Sequence, residues 1–283
     1  MNNQKIQRGV LQKWNAPIAK DSPIHKARFI MPSGNWEVFD PFLLMAEDEM
    51  KKGAFDSHPH RGIETVTYLI DGTLNHRDNR GNKGALSKGD TQWMSAGKGI
   101  IHLEEAPEDG FAKLLQLWVN LSAADKMSEP TYQDILEKDT LTRTIAGGKI
   151  RVISGTSGDI TAGTKNHVPV KMIEVELMAG YSHLEDIVAD FNGFIYILDG
   201  KGKFGKDHVE GEQNEIVWLE YTGDVESQIY IEADTNLKLL FVAGKPLREP
   251  VVAGGPFVMN TEAEIEQAYR DFRSGKFGKW EED

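Results

Sequence analysis

Two short segments of this chain carry side chains that could hold a metal ion. His58-Pro59-His60 sets two imidazoles two positions apart, and His102-Leu103-Glu104 sets an imidazole and a carboxylate at the same spacing. Side chains alternate faces along an extended strand, so each pair points to one side. Neighbouring strands run about 4.8 Å apart. Two such segments side by side in a small barrel therefore offer four ligands to one interior point, at the roughly 2.0 to 2.2 Å that metal–nitrogen and metal–oxygen bonds require. A single His-x-His pair is ordinarily two satisfied polar side chains. Two matched pairs directed inward without a metal would leave several buried polar groups uncompensated, which is costly. Imidazole with carboxylate suits one divalent transition metal, with Fe(II) first and Mn, Ni, Cu, Zn or Co as alternatives, and open positions on such a site suit oxygen chemistry.

The elements expected to position these residues are short strands. Glu64-Thr65-Val66-Thr67-Tyr68-Leu69-Ile70 is rich in β-branched and aromatic residues, and Asp71-Gly72, Gly81-Asn82 and Gly89-Asp90 read as turns between such runs. The pattern recurs. Phe194-Ile195-Tyr196-Ile197-Leu198-Asp199-Gly200 echoes the segment ending in Asp71-Gly72 at an offset of 128 (200 minus 72). Glu215-Ile216-Val217-Trp218-Leu219 echoes Asp90-Thr91-Gln92-Trp93-Met94 at an offset of 125. Two echoes in the same order indicate a duplicated β-domain. The polar stretch 122–140 reads as the crossing between copies, giving domains of 1–140 and 141–283. Thr261-Glu262-Ala263-Glu264 has capping-box spacing and is followed by Ile265, Ala268, Tyr269 and Phe272 on one helical face, with Gly275 as a stop. One C-terminal helix is expected, assigned by position to the second domain, ahead of a loose acidic end at Trp280-Glu281-Glu282-Asp283.

Composition bounds the function. The 283 residues include no cysteine, which excludes disulfides and thiolate ligands and accords with a reduced, cytoplasmic setting. The net charge of -12 disfavours direct binding to nucleic acid. No apolar run approaches the ~20 residues of a membrane span.

The stretch from His58-Pro59-His60-Arg61-Gly62 to Tyr68 resembles the signature segment of the pirins. Gly89 to His102 resembles that family's second segment, and Gly255-Pro256-Phe257-Val258-Met259-Asn260-Thr261 its C-terminal one. The resemblance implies an all-β fold of two stacked cupin (jelly-roll) barrels with a short C-terminal helix. It also implies iron bound by His58, His60, His102 and Glu104. The general cupin motif would instead take its carboxylate from Glu64, which the pirin pattern leaves to orient the other ligands. His76, beside Arg77 and Asp78, reads as a surface strand residue. The offsets place Asp186, Val188, Ser227 and Ile229 where the second copy would need ligands, so that barrel is expected to lack a metal. The activity implied is that of a quercetin 2,3-dioxygenase, with a flavonol-like substrate, O2 and Glu104 as catalytic base. The other reading is an iron-dependent, redox-sensing binding module with a protein partner, a transcriptional cofactor of the pirin type.

Overall fold

A computed structural model describes residues 5–281, so Glu282 and Asp283 of the expected acidic end lie outside the described residues. The chain forms two compact units, and they are not two consecutive halves. The first consists of Pro17–Asp139, Asn166–Val168 and the chain from Leu247 onward; the second consists of the chain up to Ala16, Thr140–Lys165 and Pro169–Pro246. Terminal segments are thus exchanged relative to the contiguous domains 1–140 and 141–283. The physical reason is strand pairing at one end and core packing at the other. Val10–Asn15 completes a sheet edge against Glu215–Leu219. The C-terminal helix Glu262–Arg273 buries Ile265 and Ala268 among Ile101, Phe257 and Phe277.

The first unit is built around the sixteen-residue strand Ile63–Asp78. Its first half lies between Thr91–Ser95 and Ala112–Asn120, and its second half between Lys83–Ser87 and Ile100–Glu105. Asp71-Gly72 is therefore not the hairpin turn expected of it. The strand runs on through a bulge, where the register against Lys113/Leu114 shifts, and Gly72 takes φ +83° with Phe111 packed against it. That bend lets one strand serve two walls of a barrel. The stretch assigned to an inter-domain crossing also belongs to this unit. Thr131–Ile135 pairs with Thr91–Ser95, and Lys126 is fully buried.

The second unit pairs Thr142–Ile145, Gly148–Ser154, Val170–Leu177, Leu237–Gly244, Asn192–Asp199, Glu215–Leu219 and Val10–Asn15 in one sheet. A smaller sheet centred on Ser227–Ala233 packs against it. The two sequence echoes land on equivalent pairs. Val66 lies opposite Trp93 in the first unit, and applying the offsets of 128 and 125 gives Phe194 opposite Trp218, the pair observed. The interior of this unit is a continuous apolar core that includes Ile173, Val175, Ile187, Ile229, Ile231 and Phe241. Of the positions aligned with the ligands, Val188 is exposed, Ile229 is in that core, Asp186 ion-pairs with Lys5, and Ser227 accepts a hydrogen bond from Arg8. His183 pairs with Glu185, which also receives Lys171. Among the described residues, no helix is long and apolar enough to cross a membrane.

Candidate metal centre

The short strand His58–His60 pairs antiparallel with Ile100–Glu105, placing His58 directly opposite His102. Alternation brings His60 to the same side as His58, and the three rings meet with centroids 4.5 to 5.0 Å apart. One ring nitrogen from each lies within 4.8 Å of the others. The chain then leaves the strand sharply. Gly62 has φ +80°, and a Cβ there would stand 2.0 Å from the Val258 carbonyl oxygen, so only glycine fits.

The ring partners define the tautomers. His58 Nδ1 lies 2.9 Å from the Asp56 carbonyl oxygen and His60 Nδ1 lies 3.3 Å from that of Pro256. A carbonyl only accepts, so these Nδ1 atoms carry the protons and each Nε2 is left as a lone pair. His58 Nε2 is 3.1 Å from His102 Nε2. Burial pushes all three imidazoles toward neutrality: His58 below its usual value, His60 down to about 3, and His102 well below the ordinary range. The contact between His58 Nε2 and His102 Nε2 is met either by a proton on His102 Nε2 or by a cation shared between the two nitrogens. Ligands at right angles on a metal with ~2.1 Å bonds stand roughly 3 Å apart. The residues present fit a divalent metal ion.

Glu104 is buried and shares the interior side with His102, but it does not join the imidazole cluster. Its Oε1 accepts from the Thr67 hydroxyl at 2.9 Å, and that hydroxyl is also 2.8 Å from Gln116 Oε1. Burial raises the Glu104 carboxyl to about 7. Glu64 does not orient the imidazoles. Its Oε2 accepts from Trp93 Nε1 at 3.0 Å and its Oε1 from His167 Nδ1 at 2.9 Å, because the turn at Gly62 breaks the alternation that would have aligned it with His60. The carbonyls of Asp56 and Pro256 take the orienting role.

His76 is not a surface residue. It is buried opposite Glu104 in the strand register, stacks on Tyr132 at 4.6 Å, and sets Nε2 3.3 Å from His102 Nδ1. The missed signal was its place in a strand whose alternate residues 74, 76 and 78 all face inward. Arg61 was also passed over. Its Nε donates to the Lys98 carbonyl at 2.7 Å and its Nη1 to Asp271 at 3.0 Å, and the guanidinium lies over Phe277. The C-terminal helix is thereby tied to the residue next to His60.

The cluster opens on a cavity of about 580 Å³ within the first unit. Its lining includes His58, His60, Glu104, Phe55, Leu114 and Trp118, a largely apolar wall with few polar groups, as small-molecule sites usually have.

A barrel with three inward imidazoles on two paired strands, repeated as a second barrel without them, defines a two-domain cupin. The sequence matches the pirin family over residues 25–119 and the pirin C-terminal cupin domain over 172–278. Pirin-1 of Arabidopsis thaliana is 35% identical over 278 residues, covering 98% of this chain and 96% of its own. A Geobacillus kaustophilus protein of known crystal structure is 42% identical, with a TM-score of 0.86 over 88% of this chain and 100% of its own. A structure described as quercetin 2,3-dioxygenase from Acinetobacter baumannii is 30% identical, with a TM-score of 0.85 over 96% of this chain and 99% of its own. The chain belongs to the pirin family.

Proposed function

We propose that the chain is a metal-dependent dioxygenase, with iron as the favoured metal, that opens a flavonol-type ring with O2. The observation that carries this reading is the convergence of three imidazoles, one ring nitrogen from each within 4.8 Å of the others, with His58 and His60 on the wall of a cavity sized for a small aromatic molecule. His58, His60 and His102 would hold the ion, with Glu104 as fourth candidate. When bound, it supplies Lewis acidity toward a substrate hydroxyl and redox contact with O2.

The chain's own residues do the rest. Trp118, Leu114 and Phe55 give a planar ligand apolar surface and exclude water from it. A carboxyl held near 7 is suited to take the proton of the flavonol 3-hydroxyl, and the Thr67 hydroxyl holds the acceptor oxygen in place. In the overall reaction both atoms of O2 enter the ring-opened product and carbon monoxide leaves. The 30%-identical Acinetobacter baumannii structure, described by that activity, supports the same reading. The test is oxygen uptake and carbon monoxide release by protein fully loaded with Fe(II) and supplied with quercetin. Consumption of neither substrate at confirmed metal occupancy would overturn the proposal and leave the redox-sensing binding module in its place.

A further inference from the structure

The three imidazoles of the cluster are not held alike. His58 and His60 each turn Nδ1 to a backbone carbonyl, which can only accept, whereas His102 turns Nδ1 to another imidazole, with His76 Nε2 at 3.3 Å. His76 is itself firmly placed. It is 2% exposed, lies opposite Glu104 on one neighbouring strand and Gly84 on the other, and stacks on Tyr132 with the ring planes 20° apart. Tyr132 is fixed in turn by Gln92 Nε2, which donates to its hydroxyl at 2.8 Å. That hydroxyl occupies the space a side chain at Gly84 would need, since a Cβ there would stand 2.7 Å from it.

The far nitrogen of His76 is the informative atom. His76 Nδ1 is buried and has no hydrogen-bond partner among the described residues, so the contact with His102 alone decides which nitrogen of His76 holds the proton. Burial keeps both rings neutral at ordinary pH, with His76 pushed down to about 4 and His102 well below its usual value. Each ring then has one proton for two nitrogens, and the line of contacts from His58 through His102 to His76 admits two consistent arrangements. In the first, His102 carries its proton on Nε2, toward the lone pair of His58 Nε2 at 3.1 Å, and its bare Nδ1 accepts from His76 Nε2. In the second, a cation takes the Nε2 lone pairs of His58 and His102, the His102 proton sits on Nδ1, and His76 Nε2 accepts from it. Both arrangements hold the same number of protons. A carbonyl in place of His76 could serve only the second.

We propose that His76 is a positioning residue of the metal centre: it donates to His102 Nδ1 in the metal-free chain and accepts from it once a metal is bound, so that His102 turns a lone pair to the ion without losing its partner. An imidazole can exchange donor for acceptor at one atom, as neither a carbonyl nor an ammonium can. A ring partner of this kind fixes the orientation of a metal-bound histidine and raises its basicity. The proposal rests on that part of the proposed function in which His58, His60 and His102 hold the ion, and it does not depend on the substrate.

The experiment uses zinc(II) alone as the probe, with affinity measured on the full chain by competition against a coloured chelator. His76→Phe keeps a ring to stack on Tyr132 and removes both nitrogens, and it is expected to bind zinc roughly 10–100-fold more weakly than wild type, the range typical of losing a partner that orients a metal-bound histidine. His76→Gln returns an amide oxygen that can accept from His102 Nδ1, and it should recover most of the loss. Equal affinity of wild type and His76→Phe, or a His76→Gln variant as weak as His76→Phe, overturns the role of His76 and leaves the metal centre standing. Failure of wild type to bind zinc overturns the metal centre as well. Independently of whether the variants fold, 15N spectra of histidine-labelled wild-type protein should show zinc changing His102 Nδ1 from bare to protonated and His76 Nε2 from protonated to bare. A His76 ring with the same protonated nitrogen in both states would also overturn the proposal.

Discussion

At the scale of single residues, the candidate site rests on where protons sit. Backbone carbonyls of Asp56 and Pro256 fix the protons of His58 and His60 on Nδ1, so main-chain groups decide which ring nitrogens are left free. Replacing His58 and His60 together by Ala should abolish metal binding, read as loss of the ion by elemental analysis in protein that still melts cooperatively. Glu104→Gln keeps the size of the side chain and removes the base. Turnover with a flavonol should fall by something like 10²–10⁴-fold at unchanged metal content, and a small effect would limit Glu104 to a ligand role. Much of this was legible, because a spacing of two residues on a strand is direct geometric information. His76 was not, since a lone histidine between Asn75 and Arg77 looks solvent-facing until the strand's neighbours are known. Glu64 was misplaced for the opposite reason. Its separation of four from His60 suggested a shared face, and the left-handed turn at Gly62 lies between them.

At the scale of elements, the site is held by ties between segments far apart in the sequence. Lys126 is the buried example. Its Nζ donates to the carbonyls of Gly62 and Val258 and to Asn120 Oδ1, all uncharged acceptors, and burial depresses it to about 8. An unfolded lysine keeps its proton to about 10.4, whereas the folded one releases it near 8. Between those values the unfolded chain binds more protons, so stability should rise with pH across that window and be flat, at its lower level, below 8. The full effect is on the order of 3 kcal/mol. Urea unfolding of wild type and Lys126→Met at pH 7.5 and pH 10 should show the rise in wild type and a smaller one in the variant; equal slopes would mean the ammonium is not strained. Arg61 with Asp271 works in the other direction. Hydrogen bonds from Lys276, Arg61 and Gln267 hold the Asp271 carboxyl down to about 2. Its contribution is complete above the ordinary aspartate value near 4 and is lost as pH falls toward 2. Asp271→Asn should therefore narrow the stability gap to wild type as pH drops from 5 to 2.5, measured by thermal melts. Neither tie was readable from sequence. A lysine in a polar stretch and an arginine in a motif look the same whether buried or not, and their partners lie up to 210 residues away.

At the scale of the whole chain, the duplication was visible because matched strands keep matched registers, as the pairs Val66 with Trp93 and Phe194 with Trp218 show. The exchange of ends was not. Val10–Asn15 is mostly polar or half-exposed and carries no label saying which barrel it will edge. Cutting between Asp139 and Thr140 should accordingly fail to give two folded proteins. The first fragment would lack the helix and Phe257 that cover Ile101, and the second would lack its edge strand. Co-expression of the fragments should recover folded material, assayed by size exclusion and cooperative melting, whereas stable folding of either piece alone would refute the interdependence.

The same arrangement sets an order of events during synthesis. The carbonyl that orients His60 belongs to Pro256, 196 residues downstream, and the helix that anchors Arg61 comes later still. A ribosome spends roughly ten seconds or more after His60 at typical elongation rates before either exists. The imidazole cluster is encoded long before the groups that orient it. Any ion that needs the oriented cluster must therefore wait for residues made long after His60.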